Sequence, residues 1–320
     1  MKSIKFLTFL AFTFGSAHTL TAGPLRVFIL AGQSNMQGQA VVDLVSADYN
    51  NGKGTLIELY NDPKQKKIYQ HLKDKDDKWA VRDDVWVRYQ RDDSDLQAGK
   101  LGLGYSAYDD LHHFGPELQF GHVIGEAVKD QVLIIKTAWG GKSLDVDFRP
   151  PSAGGKVGPC YTKMIAEIQT ALQNLKTDFP SYDGRGYQLE GFVWWQGWND
   201  FCEPQMVKVY EKNLVHLIHD VRKDLKQPNL PMVITDLTGP WMKTRTDIPQ
   251  AALDLKKAQK AVTKEKEFER TTKLVETSGF VRKPEDSPHP GHEHHEFGNA
   301  ETYFLVGDAM AKAMLELIKK

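Results

Sequence analysis

Four short stretches of this 320-residue chain hold side chains that could do chemistry together: AGQSNM with Ser34, TAWGGKSL with Gly140 and Gly141, WWQGWND with Asn199 and Asp200, and DSPHPGHEHHEFGNAE with His289, His292, His294 and His295. A serine hydroxyl attacks an ester carbonyl only when a base takes its proton. A histidine of near-neutral pKa can be that base and can later protonate the leaving group. The tetrahedral intermediate carries an oxyanion, which needs donors already in place. A glycine leaves its backbone N–H open to approach, an asparagine side chain supplies another, and the serine's own N–H can be a third. Losing one such donor typically costs about 2.7–4 kcal/mol of barrier. Taken alone, Ser34 reads as a turn residue or a helix N-cap, as most serines after strands are.

Each stretch follows a buried element, and those elements would have to bring them together. Val27-Phe28-Ile29-Leu30 is a short apolar run bounded by turn residues, as in a fully buried strand, and Gly32 permits a sharp turn at its end. QVLIIKTAWGG, LEGFVWWQGWND and LPMVITDLTG read as further buried strands, and KLVET as a fifth. Between them, FGPELQFGHVIGEAVKD has Pro116 at a first helical position and apolar residues at helical spacing. Further helices are expected over about 161–175, 204–225 and 248–262. The last is expected from Asn299, its N-cap, to Ile318, with Glu301 in the first turn. Strand and helix alternate to the end of the chain, which predicts a three-layer α/β/α fold with a central parallel sheet. In such sheets, ligands bind outside the carboxyl ends of the strands. Residues from about 41 to 111 form a long polar insertion, in which Val85, Val87 and Tyr89 alternate with Trp86 and Arg88 as in a strand.

The composition is that of an ordinary soluble domain, 41% hydrophobic and 26% charged, with a formal net charge of -1. That balance gives no electrostatic case for nucleic acid and no polybasic membrane patch. The N-terminus differs. Lys2 and Lys5 precede a short apolar run and small residues, the pattern of a secretory signal peptide over residues 1–22. The run is too short to span a bilayer core of roughly 30 Å. A single domain over 23–320, secreted or periplasmic, is the expectation. Export permits disulfides, so Cys160 and Cys202 could be bridged or could be two separate thiols.

Two other readings compete. His289, His292, His294 and His295 could hold zinc or copper and so serve a zinc-dependent hydrolase, but this leaves the serine, glycine and asparagine stretches unexplained. A non-catalytic secreted carbohydrate-binding protein would use Trp194, Trp195 and Trp198 as sugar platforms; such tryptophans more often line a core or a pocket wall.

The order Ser, Gly, Asn, His resembles the SGNH hydrolases, also called the GDSL family. GQSN stands at that family's serine block, GGKS at its oxyanion glycine, and GWND at its Gly-x-Asn-Asp block. Within the superfamily, GQSNM, WWQGWND and GNAETYFLVGDAM are similar to the carbohydrate esterases related to sialate O-acetylesterase. The resemblance implies the flavodoxin-like SGNH fold and a serine esterase acting on acetylated carbohydrate without cofactor or metal. It implies Ser34 as nucleophile, His295 as base, and Gly141 and Asn199 as oxyanion donors. Gln33, Asn35, Gly140, Gln196 and Asp200 are expected to line the substrate pocket. The superfamily usually carries its acid three residues before the histidine, where His295 has His292. Asp286-Ser-Pro-His289 satisfies that spacing and makes a rival pair. Asp286, Glu293 and Glu296 are candidate acids, with His292 a supporting residue, and a Ser–His dyad is a further alternative.

Overall fold

The computed structural model describes residues 23–92, 96–239 and 247–319. The leader expected over residues 1–22 lies outside them. Strands β1 (Leu25–Gly32), β3 (Arg82–Tyr89), β4 (Gln97–Leu101), β6 (Val132–Ala138), β7 (Tyr187–Trp195), β8 (Met232–Thr235) and β9 (Thr272–Val275) form one sheet in the order β4-β3-β6-β1-β7-β8-β9. Its neighbours run parallel except β4, which lies antiparallel to β3 on the edge. A small antiparallel ribbon pairs β2 (Ala40–Val41) with β5 (His113–Phe114).

β1 reads as an unbroken apolar run because both of its faces are covered. Val27, Ile29 and Ala31 enter one core, while Phe28 and Leu30 enter the other. The first core is closed by helices α5 (Pro159–Gln173), α8 (Pro204–Asp224) and α9 (Gln250–Val262), through Met164 and Ile168, Leu214 and Val221, and Leu255. The second is closed by α4 (Glu117–Ala127) and α10 (Ala300–Ile318), through Phe120, Ile124, Tyr303, Val306 and Met310. The expected three layers are present. Asn299 caps α10 as expected, its Oδ1 accepting the Thr302 N–H at 3.2 Å.

The polar stretch after β1 joins the sheet: Val85, Val87 and Tyr89 enter the second core, and Trp86 the first. Arg88 is buried because two carboxylates meet it, Asp178 at 2.7 Å and Glu167 at 3.1 Å. Cys160 is buried, Cys202 is exposed, and both are free thiols, so the bridge is not formed. No helix among the described residues is long and apolar enough to cross a membrane.

The strand order matters for function. From β1 the chain moves to β3 and β6 on one side, then crosses to β7, β8 and β9 on the other. The segments leaving β1 and β7 therefore diverge, and the crevice at such a reversal is where open α/β sheets bind ligands.

Candidate active site

At the end of β1, the backbone of Gly32 presses against β7. A Cβ there would come within 2.0 Å of the Trp195 carbonyl oxygen, so no other residue fits. Gln33 is extended, and Ser34 opens the one-turn helix α1 (Ser34–Gln37). As the first helical residue, Ser34 has an N–H that no carbonyl inside the helix can take. A single turn has no stability of its own, so its orientation is imposed from outside.

The Gln33 side chain supplies one such restraint. Its Oε1 accepts the backbone N–H groups of Gly197 at 3.1 Å and Asn199 at 3.4 Å. Those donors fix which end of the amide is oxygen. Its Nε2 therefore faces Asn199 and donates to Oδ1 at 3.0 Å. With Oδ1 engaged, Nδ2 is the part of Asn199 left to donate. Sequence reasoning put Gln33 against substrate; it is buried and sets the polarity of Asn199 instead. Gln33→Glu is nearly isosteric, but its second oxygen would face Asn199 Oδ1 and turn that amide around. We expect kcat for 4-nitrophenyl acetate to fall about 10²-fold, the scale of one lost oxyanion donor, with an unchanged circular dichroism spectrum. A Gln33→Glu enzyme of wild-type kcat would show that the polarity of Asn199 does not matter.

Beyond β6, Gly140 lies against the serine: a Cβ on it would sit 3.7 Å from Ser34 Cβ. Gly141 follows with φ +68°, a left-handed conformation suited to glycine, in open space. Asp200 braces this turn from α7 (Trp198–Phe201). Its carboxylate accepts the N–H groups of Leu144 at 2.8 Å and Asp145 at 3.0 Å and the Gln196 amide at 2.6 Å. Burial nevertheless pushes Asp200 up to about 6, against the pull of those bonds. Gln196 also donates to the Lys142 carbonyl at 2.9 Å. Expected against substrate, Gln196 and Asp200 instead join the segments after β6 and β7 inside the protein.

His294 and His295 lie on the turn Glu293–Gly298, which packs against α1, with His292 just before it. Glu296 and Phe297 adopt left-handed φ of 51° and 58°. Asn35 holds this turn, its Nδ2 donating to Glu296 Oε1 at 3.4 Å. The Tyr303 hydroxyl donates to Asn35 Oδ1 at 2.8 Å and lies 3.3 Å from the His295 carbonyl oxygen. Asn35, expected in the pocket, thus ties α1 to the histidine turn. Glu296 is buried with Oε2 unpartnered, and burial holds its carboxyl well above the usual carboxylate range. Burial, then the nearby His294, His292 and His289, pushes His295 down to about 3.

His295 faces other imidazoles, with ring centroids 4.0 Å from His294 and 6.5 Å from His292. His289 sits between Tyr49 at 4.6 Å and His292 at 4.8 Å. Asp286 is exposed, and its backbone carbonyl accepts from Asn299 Nδ2 at 3.3 Å. Among the described residues no three His, Cys, Asp or Glu side chains converge as a metal-ligand set. Trp194 and Trp195 are interior, so neither is a sugar platform; Trp198 is half-buried beside His294, 6.0 Å away.

A doubly covered, mostly parallel sheet with a serine helix, a glycine turn, an oriented asparagine and a histidine turn at one edge defines a class of α/β hydrolytic enzyme. Residues 24–316 match the family described as carbohydrate esterase, sialic acid-specific acetylesterase, and the chain belongs to that family. It is a carboxylic ester hydrolase, of a family whose chemistry is O-acetyl ester hydrolysis on carbohydrate. Among solved structures, a protein from Arabidopsis thaliana is similar with a TM-score of 0.58 at 15% identity, over 92% of this chain and 99% of its own. A carbohydrate acetylesterase from Xanthomonas citri is similar with a TM-score of 0.55 at 13% identity, over 92% of this chain and 56% of its own. At these identities the likeness is one of fold. No curated protein matches.

Proposed function

We propose that this chain is an exported serine esterase that removes acetyl groups from carbohydrate hydroxyls by a Ser–His acyl-enzyme route. Ser34 Oγ attacks the acetyl carbonyl as His295 takes its proton. The oxyanion is met by the Ser34 N–H, an N–H of the Gly140–Gly141 turn and Asn199 Nδ2. Collapse of the intermediate breaks the bond to the sugar oxygen, which leaves with the proton from His295. Water, activated by the same ring, then releases acetate and restores Ser34. The observation that carries this reading is the orientation of Asn199, whose free Nδ2 follows from the bonds of Gln33 beside the serine. The exported location rests on the leader-like first 22 residues.

The test is acetate release from a panel of O-acetylated sugars: an acetylated sialic acid, an acetylated xylo-oligosaccharide and an acetylated hexose. Release from at least one, absent in Ser34→Ala, is the expected result. Hydrolysis of 4-nitrophenyl acetate with no acetate from any acetylated sugar would overturn the carbohydrate assignment.

A further inference from the structure

We propose that Lys136, held by Glu117, is a positioning residue that sets the serine helix α1 against the glycine turn after β6. The proposal rests on the serine-esterase reading above.

Lys136 is the one charged residue of the strand VLIIKTA, and both it and Glu117 have fully buried side chains. Removing two charges from water is expensive, and a buried ion pair is often no more stable than apolar residues of the same volume. What the pair holds is therefore more informative than its strength. An ammonium group has three N–H donors, and here all three are directed. Lys136 Nζ donates to Glu117 Oε2 at 2.6 Å, to the Tyr105 carbonyl at 2.5 Å and to the Gln37 carbonyl at 2.6 Å. Gln37 is the last residue of α1, and its carbonyl is one that the helix cannot satisfy itself. A cation suits the C-terminal end of a helix.

The surroundings point the same way. Gln37 Nε2 donates to the Tyr89 hydroxyl at 2.8 Å, which donates to the Ala138 carbonyl at 3.1 Å. Lys136 Nζ lies 5.0 Å from the centre of the Tyr89 ring. The other Glu117 oxygen accepts the Gly115 N–H at 2.9 Å, fixing the carboxylate from its far side. So α1 is tied at its start, through Gln33, to the segment after β7, and at its end by Lys136, from β6. Lys136 and the glycine turn ride on the same strand: β6 ends at Ala138 and Gly140 follows. A Cβ on Gly140 would meet Gln37 Oε1 at 3.0 Å and Ser34 Cβ at 3.7 Å. One rigid strand thus holds both the foot of the nucleophile's helix and the turn that would meet the oxyanion. A misplacement of about 1 Å between such groups can cost about 10²-fold in rate.

The experiment compares Lys136→Met, Lys136→Met/Glu117→Leu and Glu117→Gln, reading kcat and KM for 4-nitrophenyl acetate, Tm, and the rate of Ser34 labelling by a fluorophosphonate. In Lys136→Met, kcat is expected to fall at least about tenfold with KM within about twofold, and labelling to slow in step. The double variant removes the orphaned carboxyl, so it regains Tm lost by the single change, but it leaves the Gln37 carbonyl unheld and does not regain kcat. Glu117→Gln weakens the hold on the ammonium and is expected to lower Tm, with a fall in kcat smaller than that of Lys136→Met. A double variant that recovers kcat together with Tm would overturn the proposal, as would a folded Lys136→Met enzyme of wild-type kcat. Should neither lysine variant fold, Lys136→Arg decides: it keeps a charge for Glu117, but its planar fork cannot reproduce the three directed donors, so kcat is expected to fall at least about tenfold, and a folded Lys136→Arg enzyme of wild-type kcat would overturn the proposal. Failure of the serine reading would look different, with Ser34→Ala still turning over.

Discussion

Ser34→Ala is expected to leave a folded protein whose hydrolysis of 4-nitrophenyl acetate has fallen by about 10⁴-fold or more, the scale seen when a hydrolase loses its nucleophile. The size of the effect follows from what stays behind. Asn199 Nδ2, the glycine turn and the pocket remain, and such groups alone still give a modest acceleration over water. What disappears is the covalent route, since no other hydroxyl opens α1. Folding is expected to survive because α1 is held by Gln33, Asn35 and Gln37 rather than by Ser34. The Asn35 bonds to Tyr303 and Glu296 and the Gln37 bonds to Lys136 and Tyr89 are untouched by the change. A Tm within about 2 °C of wild type checks that half, on the scale of a small change in a large domain. Near-wild-type turnover by Ser34→Ala would end the serine mechanism.

The proposed reacting residues stand out in the sequence, and the residues that hold their segments stand out less. Ser34 and Asn199 stand at the ends of apolar runs, and a run covered on both faces is a strong local signal. The roles of Gln33 and Asn35 were not legible, because they depend on partners 166 and 261 residues away. A glutamine beside a serine looks like a pocket residue until the backbone N–H groups that claim its oxygen are placed. The five residues of β4, QAGKL, lie on an edge with only Leu101 buried, so alternation was too weak to mark a strand. Lys136 did leave a trace. A lysine inside VLIIKTA is out of place in a parallel strand, and a buried lysine requires a partner and acceptors. That signal asked a question about the core, but only the position of Gln37 linked the answer to the site.

His295→Ala is expected to lower kcat nearly as far as Ser34→Ala, on the order of 10⁴-fold, with the double variant little worse than either. Residues that act as one unit lose their joint contribution once, so the two losses should not add. His289→Ala is expected to be mild, since that ring is stacked between Tyr49 and His292 and Asp286 stands exposed. The reverse pattern, a dead His289→Ala and an active His295→Ala, would make Asp286 and His289 the working pair. The surroundings of His295 add a second readout. Burial and the three neighbouring imidazoles push it down to about 3, so near neutral pH the free enzyme's ring is unprotonated; that leaves its lone pair open but makes it a weaker base than a ring of near-neutral pKa. In an NMR titration, the ring resonance missing from His295→Ala is expected to keep its neutral shift from pH 8 to about pH 4, where an unperturbed histidine would titrate near 6.5. The sign for stability follows. The folded ring binds its proton less readily than the unfolded one, so its contribution is fully present above about 6.5 and fades as pH falls towards 3. Replacing His295 with alanine should therefore flatten part of the acid decline in Tm while abolishing turnover. A ring that titrates at 6.5 in the wild-type enzyme would mean that His295 does not sit in this packed cluster in the free enzyme, and the base would then be tested on His295→Ala turnover alone.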